Sequence, residues 1–281
     1  MKVLQYSAFS THSSGGNPAG VVLDATGADD ASLLATAAEL GFSETAFVVP
    51  CGDGSLNIRY FSPLMEVPFC GHATIATAVA YAERYGVGTL LLRTKAGEVP
   101  VTTSITAEGS IVATLVSVTP HSIAISDTDL RELLAALRWS PDDLEPCLPP
   151  RVAYAGAWHP VIGAATRARL ADLDYDMPTL KSLMTHNDWA TIDLVWRESP
   201  TVYHCRNPFP PGGIVEDPAT GAAAAAFGGY LRELELITAP VSITIHQGHD
   251  MGRPSLIKVT IPDGRENGIS VTGTAIQMRA D

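Results

Sequence analysis

The chain has 281 residues, 46% hydrophobic and 17% charged, enough for a large core in one big domain or in two of about 130 to 150 residues. Its net charge of −12 argues against nucleic acid and anionic membranes as partners, and no apolar run approaches the ~18 residues of a membrane span. Four scattered cysteines (Cys51, Cys70, Cys147, Cys205) form no CxxC, and the opening residues lack the apolar core of a signal peptide, so a cytoplasmic protein with reduced thiols is expected.

In chain order, Val3 to Phe9, Gly20 to Asp24, Thr45 to Val49, Asn57 to Phe61 and Thr89 to Thr94 read as strands, because apolar residues alternate or run between Gly, Pro and Asp. Asp30 to Leu40 predicts a helix with an acidic first turn, stopped by Gly41. Val101 to Thr106 and Ser110 to Leu115 predict a hairpin across Glu108-Gly109. After Thr119-Pro120 the pattern restarts, with helices at Asp127 to Leu137 and Pro178 to Thr185. Strands are expected at Val152 to Tyr154, Pro160 to Ala164, Thr191 to Trp196, Val202 to Cys205, Val241 to His246, Leu256 to Ile261 and Ile269 to Gln277. Two helical stretches, Ala73 to Tyr81 and Gly221 to Leu231, have no polar face and are therefore buried. Two such helices among many strands predict an α+β fold of two similar domains. Each is a curved, mostly antiparallel sheet around one central helix, and the active site lies in the cleft between them.

The segments leading into these helices repeat at a shift of 150 residues, Glu66-Val67-Pro68-Phe69-Cys70-Gly71-His72-Ala73 over Glu216-Asp217-Pro218-Ala219-Thr220-Gly221-Ala222-Ala223. Upstream, Arg59 and Arg206 correspond with a small register slip. A single repeat of this length signals duplicated domains, residues 1–118 and residues 119–267. Each repeat delivers a glycine, Gly71 or Gly221, to the start of a buried helix, where free backbone N–H groups and the helix dipole favour an anion. Two such starts facing one cleft would bind a small-molecule carboxylate without Lys or Arg.

The chain offers no metal cage, nucleotide loop or nucleophile triad, so neither metal nor cofactor is expected, and the chemistry falls to single titratable groups. Glu44 stands in the apolar stretch Gly41 to Pro50, where a carboxylate needs a partner, a proton or a task. Burial suits it as a general acid/base that takes a proton from one carbon and returns it to another; the plainer use is a cap on a turn. His72 at a helix start favours the neutral ring and one hydrogen bond, or is a core histidine satisfied by backbone. Asp217 is a helix cap or a substrate contact. Asn17 before Pro18 is a turn residue or faces the cleft. Cys70 reads as a small buried hydrophobe, because the equivalent Thr220 denies a two-thiol racemase its second thiol. His246 and His249 suggest a metal, but no third ligand stands nearby in sequence and the Gln247-Gly248 turn accounts for the segment.

These residues resemble the PhzF family of phenazine biosynthesis, whose halves share the diaminopimelate-epimerase fold. The resemblance rests on Gly16-Asn17-Pro18-Ala19-Gly20, Phe42-Ser43-Glu44-Thr45-Ala46-Phe47, Phe61-Ser62-Pro63 through Thr74, Glu216 through Gly221, and Gln247-Gly248 with Met251 to Ser255, in order over nearly the whole chain. It implies a cofactor-independent isomerase, typified by conversion of 2,3-dihydro-3-hydroxyanthranilate to its keto tautomer. The family's general acid/base then falls on Glu44, the polar partners of the substrate on His72 and Asp217, and the carboxylate contacts on the backbone at Gly71 and Gly221. It also implies a homodimer, and a closing strand in 268–281 that returns to the first domain. One departure is Ala222, where the family commonly carries Ser. Loss of that hydroxyl leaves open a pyrroline-type substrate, and a catalytically silent ligand-binding protein and an epimerase are the remaining alternatives.

Overall fold

The computed structural model describes residues 1–278, which divide into two compact units. Unit 1 comprises Met1–Val116, the short return Arg253–Ser255 and the closing segment from Thr272; unit 2 comprises Ser117–Gly252 and Leu256–Val271. The return at Arg253–Ser255 has no signature in the sequence. It is held by the Arg253 guanidinium, which donates to the carbonyls of Gly16 and Gly15 at 2.8 and 2.7 Å.

In unit 1 the elements are β1 (Leu4–Ala8), β2 (Asn17–Val22), α1 (Asp30–Leu40), β3 (Glu44–Pro50), β4 (Leu56–Phe61), β5 (Glu66–Val67), α2 (Gly71–Tyr85), β6 (Thr89–Thr94), β7 (Gly97–Ile105) and β8 (Ile111–Val116). Unit 2 begins with β9 (His121–Ala124), α3 (Asp127–Leu137), β10 (Arg151–Tyr154), β11 (Trp158–Gly163), α4 (Arg167–Ala171), α5 (Met177–His186) and β12 (Asp193–Ser199). There follow β13 (Val202–Pro208), β14 (Glu216–Asp217), α6 (Gly221–Glu233), β15 (Val241–Gln247) and β16 (Ser255–Ile261), and then β17 (Ser270–Gln277), which from Thr272 belongs to unit 1.

The strands of unit 1 pair in a ring: β1 with β2, β2 with β3, β3 with β4, β4 with β6, β6 with β7, β7 with β8, β8 with β17, and β17 back to β1. A sheet closed on itself leaves no unpaired edge. Inside it lies α2, buried from His72 to Ala80 and packed on β1, β2, β3, β7 and β8. Its Ala and Thr side chains are small enough to let strands approach on every side, and the Thr74 and Thr77 hydroxyls avoid desolvation by donating to the carbonyls of Cys70 and Ala73, both at 2.7 Å. Outside the ring, α1 covers Val22, Phe47 and Phe61 with Leu33 and Ala37. It starts at Asp29, whose carboxylate accepts from the Ser32 N–H, and ends at Gly41 in the left-handed conformation (φ 70°), as the sequence predicts.

Unit 2 repeats the scheme. The antiparallel pairs β1–β2 and β3–β4 recur as β10–β11 and β12–β13, and the parallel pairs β2–β3 and β4–β6 recur as β11–β12 and β13–β15. Its buried helix α6 packs on β9, β10 and β11, and Gly228 and Gly229 allow close approach of Val259, Ile269 and Pro120. Helices α3 and α5 cover the outer side through Leu133, Leu137, Leu180 and Met184 around Trp139 and Trp189. The fold is thus a sheet-rich α+β architecture with a closed barrel and few helices.

The interior of unit 2 also holds a polar group. His159 Nδ1 lies 2.9 Å from the Thr191 hydroxyl, to which Asn207 donates at 3.1 Å while also donating to Asp193 at 3.3 Å. Burial pushes the Asp193 carboxyl up to about 7 and the His159 imidazole down to about 4, so each favours its neutral form.

The sequence reading misses the two-residue strands β5 and β14, too short for any periodicity, and also the short β9 and α4. It also stops α2 and α6 short of Tyr85 and Glu233, where charged residues replace the alanine run.

Candidate active site

The start of α2 gathers the titratable groups of unit 1. Cys70 occupies the N-cap position with extended backbone (φ −147°, ψ 115°) and gives no side-chain cap, which leaves the first N–H groups of the helix for another acceptor. His72 follows on the first turn and is 6% exposed. Glu44 opens β3, held there by parallel pairing to β2 in the register Ala19↔Glu44. Its Oε2 lies 3.5 Å from His72 Nε2 and 3.5 Å from Cys70 Sγ. Cys70 Sγ is 3.3 Å from His72 Nδ1, and the Ser43 hydroxyl is 3.3 Å from Nε2.

One tautomer satisfies this cluster. With the proton on Nε2, the imidazole faces the Glu44 carboxylate with a donor while Nδ1 accepts from the Cys70 thiol. The carboxylate then faces one donor, the His72 Nε2–H, and among the described residues no Lys or Arg pairs with it, a setting in which it can take up and return a proton. Among the described residues, Glu44, Cys70 and His72 are the one group of three His, Cys or acidic side chains whose ligand atoms lie within 4.8 Å of one another. Thiol, imidazole and carboxylate are also a zinc-type donor set, so the trio could hold such an ion.

Asn17 begins β2 and is 2% exposed; two residues from Ala19, it shares the strand face of Glu44's register partner. The turn into α2 is anchored from behind. Arg59 forks onto Glu66 with two bonds of 2.7 Å and keeps that carboxylate below its usual range.

Unit 2 carries the matching turn. Arg206 forks onto Glu216 through Nε at 2.9 Å and through Nη2, both side chains buried. Beyond it, Asp217 is not the cap of α6: that position is Thr220, whose hydroxyl donates to Asp217 Oδ2 at 2.6 Å. Gln247 straps the turn, accepting from the Thr220 N–H at 3.0 Å and donating to the Asp217 carbonyl at 2.8 Å. Thr220 itself gives no side-chain cap to α6, so the N–H groups at Gly221 and Ala222 resemble those of α2. Ala222 is half-buried at the position that His72 holds in the first repeat.

The structure therefore brings Glu44 and His72 together at the start of α2 and places Asp217, Gly221 and Ala222 at the start of α6. Sequence reasoning misses the polar contacts of Cys70 and the strap formed by Gln247. The repeat held a signal for the first, since a hydroxyl-bearing Thr220 in the same place suggests a hydrogen-bonding position.

The profile of the phenazine biosynthesis-like PhzC-PhzF family matches residues 6–280, and the chain belongs to that family. It is 30% identical to the uncharacterized isomerase YddE of Escherichia coli K12 over 98% of this chain and 95% of that protein. It is 32% identical to the trans-2,3-dihydro-3-hydroxyanthranilate isomerase of Pseudomonas chlororaphis over 86% of this chain and 84% of that one. The crystal structure of a Bacillus anthracis PhzF-family protein superposes with a TM-score of 0.87 at 25% identity, covering 99% and 98% of the two chains. Like these named relatives, the protein is an isomerase.

Proposed function

We propose that the protein moves a proton between two carbons of a small unsaturated cyclic amino or hydroxy acid, with Glu44 as the group that takes and returns it. The observation that carries this reading is the cluster of Glu44, His72 and Cys70 at an uncapped helix start. In the proposed step the Glu44 carboxylate removes a proton from a ring carbon as that C–H pair enters the conjugated system. The resulting carboxylic acid then delivers the proton to a second carbon, whose new C–H bond consumes the pair. Atoms and charge balance with no cofactor. His72 donates toward the charge that develops on the ring, and Asp217, fixed by Thr220 and Gln247, faces an amine or hydroxyl of the substrate. The N–H groups at Gly71 receive its carboxylate, those at Gly221 are the matching carboxylate contact of the second repeat, and Asn17 lines the Glu44 side. The likeness to the P. chlororaphis enzyme supports 2,3-dihydro-3-hydroxyanthranilate as the first substrate to try. The methyl group of Ala222, which offers no hydroxyl contact, makes pyrroline carboxylates the next class.

The test is proton NMR in heavy water with 2,3-dihydro-3-hydroxyanthranilate. Wild type should shift the double bond and place deuterium at the new C–H. Glu44→Gln should slow this at least ~100-fold, the scale of a lost general acid/base. Undiminished turnover in that variant would remove Glu44 from the mechanism.

A further inference from the structure

Three imidazoles meet on the face of unit 2's sheet opposite to the one that carries Gln247. His204 and His246 are direct partners in the parallel pairing of β13 with β15, and their rings lie 4.9 Å apart. His249, on the turn after β15, brings a third ring to 5.2 Å from His246 and 6.2 Å from His204. Trp196 backs His204 from the neighbouring strand at 5.4 Å.

A cluster of packed rings could serve packing alone, but the polar contacts ask for more. Glu198 Oε2 lies 2.6 Å from His204 Nε2, which fixes the proton there and leaves Nδ1 with a lone pair. That Nδ1 is buried and has no hydrogen-bond partner, a costly state for a ring nitrogen. A carboxylate on one nitrogen with the other left free is how metal-binding histidines are oriented. Asp250, next to His249, is engaged by Arg167 at 2.9 Å. An ion bound tetrahedrally at ~2.0–2.1 Å by three imidazole nitrogens keeps their ring centres roughly 5 Å apart, which the 4.9 and 5.2 Å separations match and the 6.2 Å one exceeds. The nitrogens are not gathered as closely as the ligand atoms at Glu44, and rotation of the exposed His249 side chain closes the third side.

We propose that His204, His246 and His249 form a binding site for a divalent ion of the zinc class, with Glu198 orienting His204 and one coordination position open to solvent. The residues come from two strands and a turn, so the site exists only in the folded unit.

The experiment is a zinc chloride titration of chelator-treated full-length protein by calorimetry, paralleled by cobalt(II) absorption. Because Glu44, Cys70 and His72 could also take an ion, the titrations are repeated in Cys70→Ser. The expected result is one tight equivalent that survives in Cys70→Ser and shows a four-coordinate cobalt spectrum without a thiolate charge-transfer band. His246→Gln and His249→Gln should each weaken it at least ~10-fold, and Glu198→Gln by about 10-fold, the usual size of an outer-shell loss. His249 is exposed, so its variant should melt like wild type without metal. No binding by wild type, an ion held only while Cys70 is present, or unchanged affinity in His249→Gln would each overturn the proposal.

Discussion

Glu44 and Asp193 show how differently two carboxylates can be housed in one chain. Glu44 opens a strand beside an imidazole and a thiol, whereas Asp193 sits fully inside unit 2 with Asn207 as donor. Cys70→Ser should keep turnover within ~10-fold of wild type while Glu44→Gln does not, since the thiol only supports the ring that faces the carboxylate. A thiol acting on the substrate would reverse that order in the same NMR assay. Asp193 and His159 make a stability prediction. Asp193 holds its proton to about pH 7 when folded but releases it near 3.8 when unfolded, so its contribution falls as pH rises between those values. His159 is neutral above about pH 4 when folded but protonates near 6.5 when unfolded, so its contribution rises with pH across that window. The two slopes oppose each other between about pH 4 and 6.5. Urea unfolding of Asp193→Asn should therefore gain stability with pH more steeply than wild type, by up to about 1.4 kcal/mol per pH unit, and His159→Gln less steeply by a similar amount. Curves parallel to wild type would mean that neither group is held neutral.

At the scale of elements, the two apolar helices were the most legible features, because an alanine-rich stretch without a polar face has only one place to go. Their starts were legible through the repeat, and so were Glu44 and His72 as chemical candidates. The company those residues keep was not. Cys70 meets Glu44, and His204 meets His246, only because strand register and the helix start bring distant segments together. Strand β3 likewise announced itself by its apolar run, whereas β5 and β14 are too short for any pattern, although they aim the turns that matter. The arginine forks on Glu66 and Glu216 were half visible: the residue types recur in both repeats, but their pairing needed the fold. Helix α6 carries its own test. A Cβ at Gly229 would stand 2.4 Å from the stiff Pro120 ring, whereas one at Gly228 would stand 3.0 Å from yielding Val259 and Ile269 methyl groups. Gly229→Ala should cost about 1–3 kcal/mol in urea unfolding, the range for overpacking, and Gly228→Ala distinctly less, because the gain in helix propensity offsets it. Equal losses would show that α6 shifts as a body to make room.

For the whole molecule, what counts is which parts of the chain each unit needs. Unit 1 takes β17, where Tyr6, Ser7 and Ala8 pair with Gln277, Ile276 and Ala275. Ending the chain at Val271 should leave unit 2 its residues while stripping β1 and β8 of their shared neighbour. Such a protein should pass into the insoluble fraction through its exposed edges. A soluble truncated chain with the full wild-type near-ultraviolet circular dichroism would show that the ring does not depend on its last strand. The closure also imposes an order in time. On the ribosome, the first 116 residues emerge with a barrel that has no means of closing, while nearly all of unit 2 is translated before the missing strand. At roughly 5–20 residues per second, β8 waits on the order of ten to thirty seconds for its partner. The cell must shelter two naked strand edges for that interval, so the part of the protein made first is the part that matures last.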